Sequence, residues 1–258
     1  MVKIPVMPLH IWLPQAHVEA PLGGSIILAG VLLKIGGYGL IRYIWVIVPE
    51  AVDYYGPLVE MLAIIGIVYG GLVTCRQIDI KRAIAYASVG HMGLVVLGIN
   101  RGNSIGEIGS IYMMVSHGLI SGGLFIAAGV LYERYSTRLI RYYRGHWVTM
   151  PIYSIYLLLL LMGNAGMPVS SGYIGEMQLL IGVYKDSVIM GIIGGIGGVI
   201  GAVYGFNIYS RVCYGQPGKY SKKMRDINRQ ENIVLLVIVV MVYILGVYPW
   251  VITGDIYV

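Results

Sequence analysis

The sequence is poor in charged residues. Only 12% of its 258 residues are Asp, Glu, Lys or Arg, about half of the share that is usual in soluble domains. Hydrophobic residues make up 57% of the chain, and the mean hydropathy is +0.77. A soluble domain needs a more charged surface than this, and a disordered chain needs a lower hydrophobic content. The composition therefore excludes both classes and indicates a protein that lies mostly within a lipid bilayer.

Cysteine and nucleotide-binding motifs are also scarce. The two cysteines, Cys75 and Cys213, lie far apart, and neither belongs to a Cys-x-x-Cys pattern, so no zinc or iron–sulfur site is supported. The chain has neither a glycine-rich dinucleotide motif with its acidic partner nor a phosphate-binding loop motif. We therefore expect no cofactor on this chain.

Long apolar runs are the main positive feature. A transmembrane helix needs ~20 apolar residues, and these runs are continuous rather than alternating as in a β-barrel. They predict an all-α polytopic membrane protein with about seven full transmembrane helices plus a partial first one. Residues 1–22 contain four prolines and give only the partial helix. The spans are expected near residues 23–48, 58–75, 83–99, 105–131, 149–184, 188–214 and 233–252.

Two segments depart from simple spans. The stretch 149–184 is too long for one span, and glycine, proline and serine interrupt it at 163–172, which predicts one broken helix at membrane depth. Residues 133–146 predict an interfacial helix that lies on the membrane, because four arginines are spaced to share one helical face. These arginines are Arg134, Arg138, Arg141 and Arg144.

Positive charge is concentrated in three loops, which follow the second, fourth and sixth spans and therefore share one face. By the positive-inside rule this face is the matrix or cytoplasmic side. The net charge of +6 is then explained by membrane topology, and no nucleic-acid partner is expected. Besides the four arginines above, the loops carry Arg76, Lys81, Arg82, Arg211, Lys219, Lys222, Lys223, Arg225 and Arg229.

Among the ionisable residues within the apolar runs or beside their breaks, five are the candidate site residues: Lys3, Lys34, His91, His117 and Glu176. A charge at the bilayer centre costs ~2.5–3.5 kcal/mol even on a lenient scale, so each one needs a reason. Lys34 lies ~15 Å into its span, histidine titrates near neutral pH, and a broken helix lets water reach Glu176. We expect a polar chain across the membrane midplane that transfers protons.

Each of these residues also has a purely structural explanation. Lys34 would extend its charge to the interface, and the histidines would be hydrogen-bonded between helices. Glu176 would serve as a structural partner, and Lys3 lies almost at the chain end, where it carries little weight alone.

The sequence resembles the proton-translocating antiporter-like subunits of respiratory complex I, and most of all the subunit 4 branch of that family. The resemblance covers essentially the whole chain. It is carried by VKIP at 2–5, HIWLPQAHVEAP at 10–21, LLK at 32–34, YGLIR at 38–42, DIKR at 79–82, IAY at 84–86, SVGHMG at 88–93, HGL at 117–119, LYER at 131–134, GE at 175–176, RQEN at 229–232 and GVYP at 246–249.

The resemblance implies half of an inverted-repeat antiporter-like fold. Residues 1–48 would end the first repeat, with its broken-helix half and one span. Residues 49–214 would form the second repeat, including the interfacial helix at 133–146, and residues 215–258 a basic loop and the C-terminal span.

The resemblance also implies roles for the ionisable residues. Lys3 would be the broken-helix lysine of the first half-channel, and Lys34 would bridge the two repeats. His91 and His117 would belong to the second half-channel, which Glu176 would terminate.

The implied function is proton translocation, driven by NADH:ubiquinone oxidoreduction in other subunits. Flavin mononucleotide, iron–sulfur clusters and ubiquinone are expected in those partner subunits. Further expected partners are neighbouring antiporter-like subunits, a separate chain that supplies the N-terminal half of a split subunit, and membrane lipids. The expected location is the mitochondrial inner membrane or a bacterial plasma membrane. The alternatives are a subunit of a multi-subunit sodium/proton antiporter or membrane-bound hydrogenase, and a structural subunit with inert polar residues.

Overall fold

A computed structural model describes residues 1–217 and 224–254, and its regular structure in these residues is helical apart from one isolated β-bridge between Asp79 and Leu139. A short helix, α1, follows the turns at the N-terminus. The helices are α1 (Trp12–Glu19), α2 (Leu22–Ile47), α3 (Pro49–Arg76), α4 (Ile80–Asn100), α5 (Ser104–Tyr135), α6 (His146–Thr149), α7 (Pro151–Asn164), α8 (Ser171–Asp186), α9 (Val188–Cys213), α10 (Arg229–Val247) and α11 (Trp250–Thr253).

Six of the described helices are long and apolar enough to cross a membrane, judged by length and composition: α2, α3, α4, α5, α9 and α10. The shorter apolar helix α7 and the following α8 together occupy the remaining expected span, at 149–184. The all-α polytopic class is therefore confirmed. One boundary differs, because α3 begins at Pro49 rather than near residue 58. Proline suits the first helical position, and Glu50 in the first turn is stabilised by the helix dipole.

Helices α4 and α5 form the centre of the bundle. Helix α4 packs between α3 and α5, while α5 also contacts α8 and α10, and α9 packs against α3 and α8. Glycine permits the closest of these approaches. An added Cβ at Gly109 of α5 would lie 2.5 Å from the backbone nitrogen of Leu179 in α8. Small residues at helix crossings are typical of membrane bundles.

The predicted broken helix is present. Helix α7 ends at Asn164 and α8 begins at Ser171, so the break lies inside the expected interval 163–172. Gly166 has a left-handed φ of 63°, which glycine adopts without strain. The Ser170 hydroxyl then accepts a hydrogen bond from the backbone N–H of Tyr173 at 3.4 Å and caps the start of α8.

The predicted interfacial helix over residues 133–146 is wrong. Helix α5 ends before Ser136, whose φ of 51° is left-handed, and only a 3-10 turn follows at residues 140–142. Between these points the chain is tied to the loop before α4, where the backbone N–H of Ile80 donates to the carbonyl of Arg138 at 3.1 Å. The four arginines therefore do not share one helical face.

The first of these arginines joins two helices instead. The guanidinium of Arg134 forms a bidentate ion pair with Glu231, with nitrogen–oxygen distances of 3.0 and 2.7 Å. The same carboxylate accepts from the backbone N–H of Asn228 at 2.7 Å, which completes a capping box at the start of α10. The pair thus links the end of α5 to the beginning of α10.

The three basic loops meet at one end of the bundle, which we call the basic end. The backbone N–H of Ile140 donates to the carbonyl of Ile78 at 2.9 Å, and that of Gly145 donates to the carbonyl of Tyr214 at 3.2 Å. The loops after α3, α5 and α9 therefore contact one another, as the alternation of the spans predicts. Three of the expected loop cations, Lys219, Lys222 and Lys223, lie outside the described residues.

We expect Gly109→Ala to destabilise the bundle by about 1–3 kcal/mol, because the new methyl group would force α5 and α8 apart. Thermal unfolding of the purified membrane complex in detergent measures the effect. Gly195→Ala is the matched control, since a Cβ at Gly195 in α9 would meet nothing within 4 Å. Equal stability of the two variants would contradict the close contact.

Candidate functional site

Four of the predicted site residues lie in a line through the middle of the bundle. Lys34 comes from α2, His117 from α5, His91 from α4 and Glu176 from α8. Both histidines are almost fully buried, with exposures of 6% for His91 and 2% for His117. The sequence separates these residues widely, so only the packing of α2, α4, α5 and α8 brings them together.

The line begins at Lys34. Its Nζ lies 2.8 Å from Nδ1 of His117 and also donates to the carbonyl of Ala29. Ala29 belongs to a π-helical turn at Leu28–Leu32, and a second π turn occupies Leu40–Ile44. The lysine ammonium is therefore held by one backbone carbonyl and one imidazole in an otherwise apolar helix.

The two histidines continue the line. The ring centroids of His117 and His91 are 5.3 Å apart, and Nε2 of His117 lies 3.2 Å from the Ser88 hydroxyl. Ser88 sits on the same helix as His91, about one turn earlier. The hydroxyl orients the His117 ring, so that its other nitrogen faces Lys34.

The line ends at the broken helix. Nδ1 of His91 is 3.5 Å from Oε1 of Glu176, and Nε2 of His91 is 3.2 Å from the hydroxyl of Tyr204. The Asn164 side chain, at the end of α7, donates to the same hydroxyl at 2.9 Å. A cavity of about 20 Å³ borders His91, Glu176 and Tyr204, and this volume is sufficient for one water molecule.

The break itself makes room for the carboxylate. A Cβ added at Gly166 would collide with a carboxylate oxygen of Glu176. The left-handed glycine and the acid therefore occupy neighbouring positions, and the sequence needs glycine there for two reasons: its φ and its missing side chain.

Lys3 lies apart from this line. Lys3 packs against α2 beside Gly36, where an added Cβ would lie 3.3 Å from the Cβ of Lys3. Lys3 is exposed. Within the described residues Lys3 has no hydrogen bond or ion pair. Its predicted role in proton transfer remains a prediction.

Three polar residues of the site were not anticipated: Ser88, Asn164 and Tyr204. Asn164 carried a sequence signal, because it falls in the glycine-rich break between α7 and α8. Ser88 and Tyr204 carried none, since a lone hydroxyl within an apolar run is common in membrane helices. Their contribution depends on which way each helix faces, and this is a tertiary property.

A second buried charge cluster was also missed. Glu60 of α3 forms an ion pair with Arg101, at 2.5 Å, and accepts from the side chain of Asn100 at 2.9 Å. Only 8% of the Glu60 side chain and 18% of the Arg101 side chain are exposed. Glu60 falls inside the expected span at 58–75, but the sequence did not indicate its partner, because Arg101 lies 41 positions further along the chain.

Comparison with known proteins identifies the family of the chain. The family described as NADH:quinone oxidoreductase/Mrp antiporter, TM, matches residues 1–201. The chain belongs to this family. Within it, the chain is 48% identical to NADH-ubiquinone oxidoreductase chain 4 of Metridium senile and 44% identical to that of Marchantia polymorpha, over 96% of its length in both cases. The match spans 50% of each of those relatives, so the chain corresponds to about half of their length.

Solved structures share the fold. A chain of respiratory complex I from Thermus thermophilus superposes with a TM-score of 0.93 at 31% identity, covering 99% of this chain and 54% of that one. A chain of a membrane-bound sulfane sulfur reductase, an archaeal respiratory membrane complex, gives 0.89 at 25% identity, with coverages of 95% and 42%. A chain of the Mrp complex from a Dietzia species also gives 0.89, but at 18% identity it shows the fold alone, with coverages of 97% and 55%.

We expect Glu60→Gln to destabilise the membrane complex by about 3–5 kcal/mol, because it leaves the Arg101 guanidinium buried without its anion. Thermal unfolding in detergent measures the loss. Glu50→Gln, at an exposed position of the same helix, is the control.

Replacing both partners, Glu60→Leu with Arg101→Leu, should cost less than Glu60→Gln alone, since no unpaired charge remains. A Glu60→Gln variant as stable as the Glu50→Gln control would show that the pair contributes nothing.

Proposed function

We propose that this chain translocates protons across an energy-transducing membrane as part of complex I subunit 4. The NADH:ubiquinone oxidoreduction that drives it takes place on other subunits. The observation that carries the proposal is the line of titratable groups from Lys34 through His117 and His91 to Glu176. Placing a lysine, two imidazoles and a carboxylate in an apolar bundle costs free energy, and such residues within a membrane usually have a functional role.

The distances support a stepwise transfer. A protonated Lys34 donates to Nδ1 of His117 at 2.8 Å, and the lysine becomes neutral as the imidazole becomes charged. The proton then passes toward His91, whose ring centre is 5.3 Å away, with the Ser88 hydroxyl beside the Nε2 nitrogen that releases it. Imidazole suits this step because each of its two nitrogens can bind a proton while the other gives one up.

The last step ends on a carboxylate. Nδ1 of His91 is 3.5 Å from Oε1 of Glu176, so a small movement of either side chain brings the two atoms within hydrogen-bond distance, and a cavity large enough for one water borders both residues. Tyr204 holds the opposite nitrogen of His91 and is itself held by Asn164 at the break. The unwound segment after Asn164 supplies backbone polar groups that water can solvate, so we propose that Glu176 exchanges protons with one membrane surface there.

We propose that the partners are other membrane subunits of complex I, including neighbouring antiporter-like subunits, together with further helices of subunit 4. An open cavity of about 610 Å³ beside α2 supports the last of these. It exposes Lys34 between apolar residues of α2 and α5, and a lysine in that position needs protein or water against it. The relatives, about twice as long, contain additional chain to cover it.

We propose that no redox group binds this chain and that flavin, iron–sulfur clusters and quinone belong to other subunits. The scarcity of cysteine supports this assignment. We also propose the mitochondrial inner membrane as the location, with the basic end toward the matrix, in accordance with the positive-inside rule.

A second candidate is a subunit of a sodium/proton antiporter or membrane-bound hydrogenase, and the fold shared with the Mrp complex favours it. The higher identity to chain 4 relatives favours complex I. Purification of the assembly distinguishes them, since NADH-oxidising redox subunits accompany the chain in complex I and hydrogenase redox subunits accompany it in a membrane-bound hydrogenase, whereas an antiporter has no redox subunits. Their absence from the intact assembly would favour the antiporter.

We expect Glu176→Gln to reduce NADH-driven proton pumping at least tenfold, because removing one proton carrier slows its step by ~10²–10⁴. A pH-sensitive dye in vesicles that contain the reconstituted complex reports pumping. Glu50→Gln, an exposed acid in the first turn of α3, is the control. Unchanged pumping by Glu176→Gln would rule out its role as the terminal proton carrier.

Lys34→Gln tests the rival explanation that the polar residues are inert. We expect pumping to fall by about the same factor, because an amide cannot carry a proton to His117. Lys34→Arg should not restore pumping, since a guanidinium does not give up its proton. Lys185→Gln removes an exposed lysine and serves as the control. Normal pumping by Lys34→Gln would favour a structural subunit.

A further inference from the structure

A basic cavity lies at the basic end of the bundle, away from the line of titratable groups. Its volume is about 790 Å³. Arg141 and Arg144 reach it from the loop after α5, and Arg211 reaches it from the last turn of α9. Ile78 and Tyr214 supply apolar surface at its border. Two separate segments therefore bring positive charge to one concave site.

The charge of this cavity has no acidic counterpart among the residues that the structure describes. Within residues 1–217 and 224–254, no acidic side chain forms an ion pair with Arg141, Arg144 or Arg211, and all three residues are exposed. Arg141 is held in place by Tyr142, with its guanidinium carbon 4.8 Å from the ring centre. Three arginines elsewhere in the bundle do have acidic partners, namely Arg82 with Asp79, Arg101 with Glu60 and Arg134 with Glu231.

Exposed apolar side chains lie at the edge of the cavity and on the two helices that end beside it. Ile78 is 63% exposed and Tyr214 is 57% exposed at its edge. Below them, α3 and α9 lie side by side, since the side chain of Asn207 donates to the carbonyl of Cys75 at 3.4 Å. Leu72 of α3 and Phe206 of α9 are also exposed on these helices. The positive site thus lies beside the ends of α3 and α9, and both helices expose apolar side chains.

We propose that this cavity binds the phosphate-bearing headgroup of an anionic phospholipid, whose acyl chains lie along α3 and α9. Guanidinium groups bind phosphate oxygens in a two-pronged geometry, and basic pockets at helix ends are sites for anionic headgroups. Free phosphate shares the headgroup chemistry, but it has no acyl chain that could contact the exposed apolar side chains. The lipid is therefore the occupant that fits both halves of the site, and this assignment does not depend on the proposed function.

Photo-crosslinking to the intact membrane complex tests the proposal. The probe is phosphatidylglycerol with a photoactivatable group near its headgroup, and mass spectrometry of peptides locates the label. We expect labelling of the segments 138–150 and 210–217. Unlabelled phosphatidylglycerol should compete, whereas phosphatidylcholine and inorganic phosphate at equal concentration should not.

The test variant combines Arg144→Gln with Arg211→Gln. We expect its affinity for the probe at this site to fall roughly thirtyfold, because each arginine near a charged lipid surface contributes by itself about a fivefold preference. The matched control, Arg225→Gln with Arg229→Gln, removes two exposed arginines that do not border the cavity and should label normally.

Several results would overturn the proposal. The first is absence of label from both segments in the unaltered complex. The second is labelling of the test variant as strong as that of the unaltered complex. The third is a loss of labelling in the control variant as large as that in the test variant. Competition by inorganic phosphate as strong as that by phosphatidylglycerol would replace the lipid by a free anion. The competition series uses the unaltered complex, so it decides the matter even where the double variant assembles poorly.

Discussion

The packing of the bundle depends on a buried layer of polar side chains, which is the line from Lys34 through His117 and His91 to Glu176 together with Ser88. These side chains need hydrogen-bond partners inside the protein. The apolar core is divided by this layer into two clusters. On α4, Ala87 belongs to one cluster and Val89 to the other, with Ser88 between them and His91 one turn away. On α5 the same division falls at His117. Because an unsatisfied polar group in a membrane costs several kcal/mol, the helices must meet with these side chains facing one another.

Two irregular segments of backbone border this layer. The π turn in α2 holds Ala29, whose carbonyl accepts from Lys34, and the break between α7 and α8 holds Gly166 against Glu176. A regular helix has no free carbonyl at mid-height, and it offers no space for a carboxylate within its own path. Distorted backbone at membrane depth is tolerated where polar side chains or water satisfy it, and these segments meet that condition.

Charged side chains outside this layer occur in two arrangements, buried ion pairs and exposed arginines. Towards the end of α4 opposite the basic loops, Glu60 and Arg101 are buried as a pair, which removes their net charge from the apolar surroundings. At the basic end, Arg144 and Arg211 stay exposed and have no acidic partner within the described residues. The first arrangement is complete within the chain. The second leaves positive charge at the depth where helices end and lipid headgroups lie, and therefore leaves it available to a ligand.

Hydrophobic run length and glycine content were sufficient to determine the all-α class, most of the spans and the break at 163–172, because these follow from local composition and bilayer thickness. The ionisable residues Lys34, His91, His117 and Glu176 were also evident, since charge within an apolar run stands out. Tertiary structure alone decided that these four form one line and that Lys3 lies outside it. It also decided that arginines spaced for a helical face are not on one helix. Proximity and backbone pairing depend on how distant segments face each other, and spacing along a single chain does not contain that information.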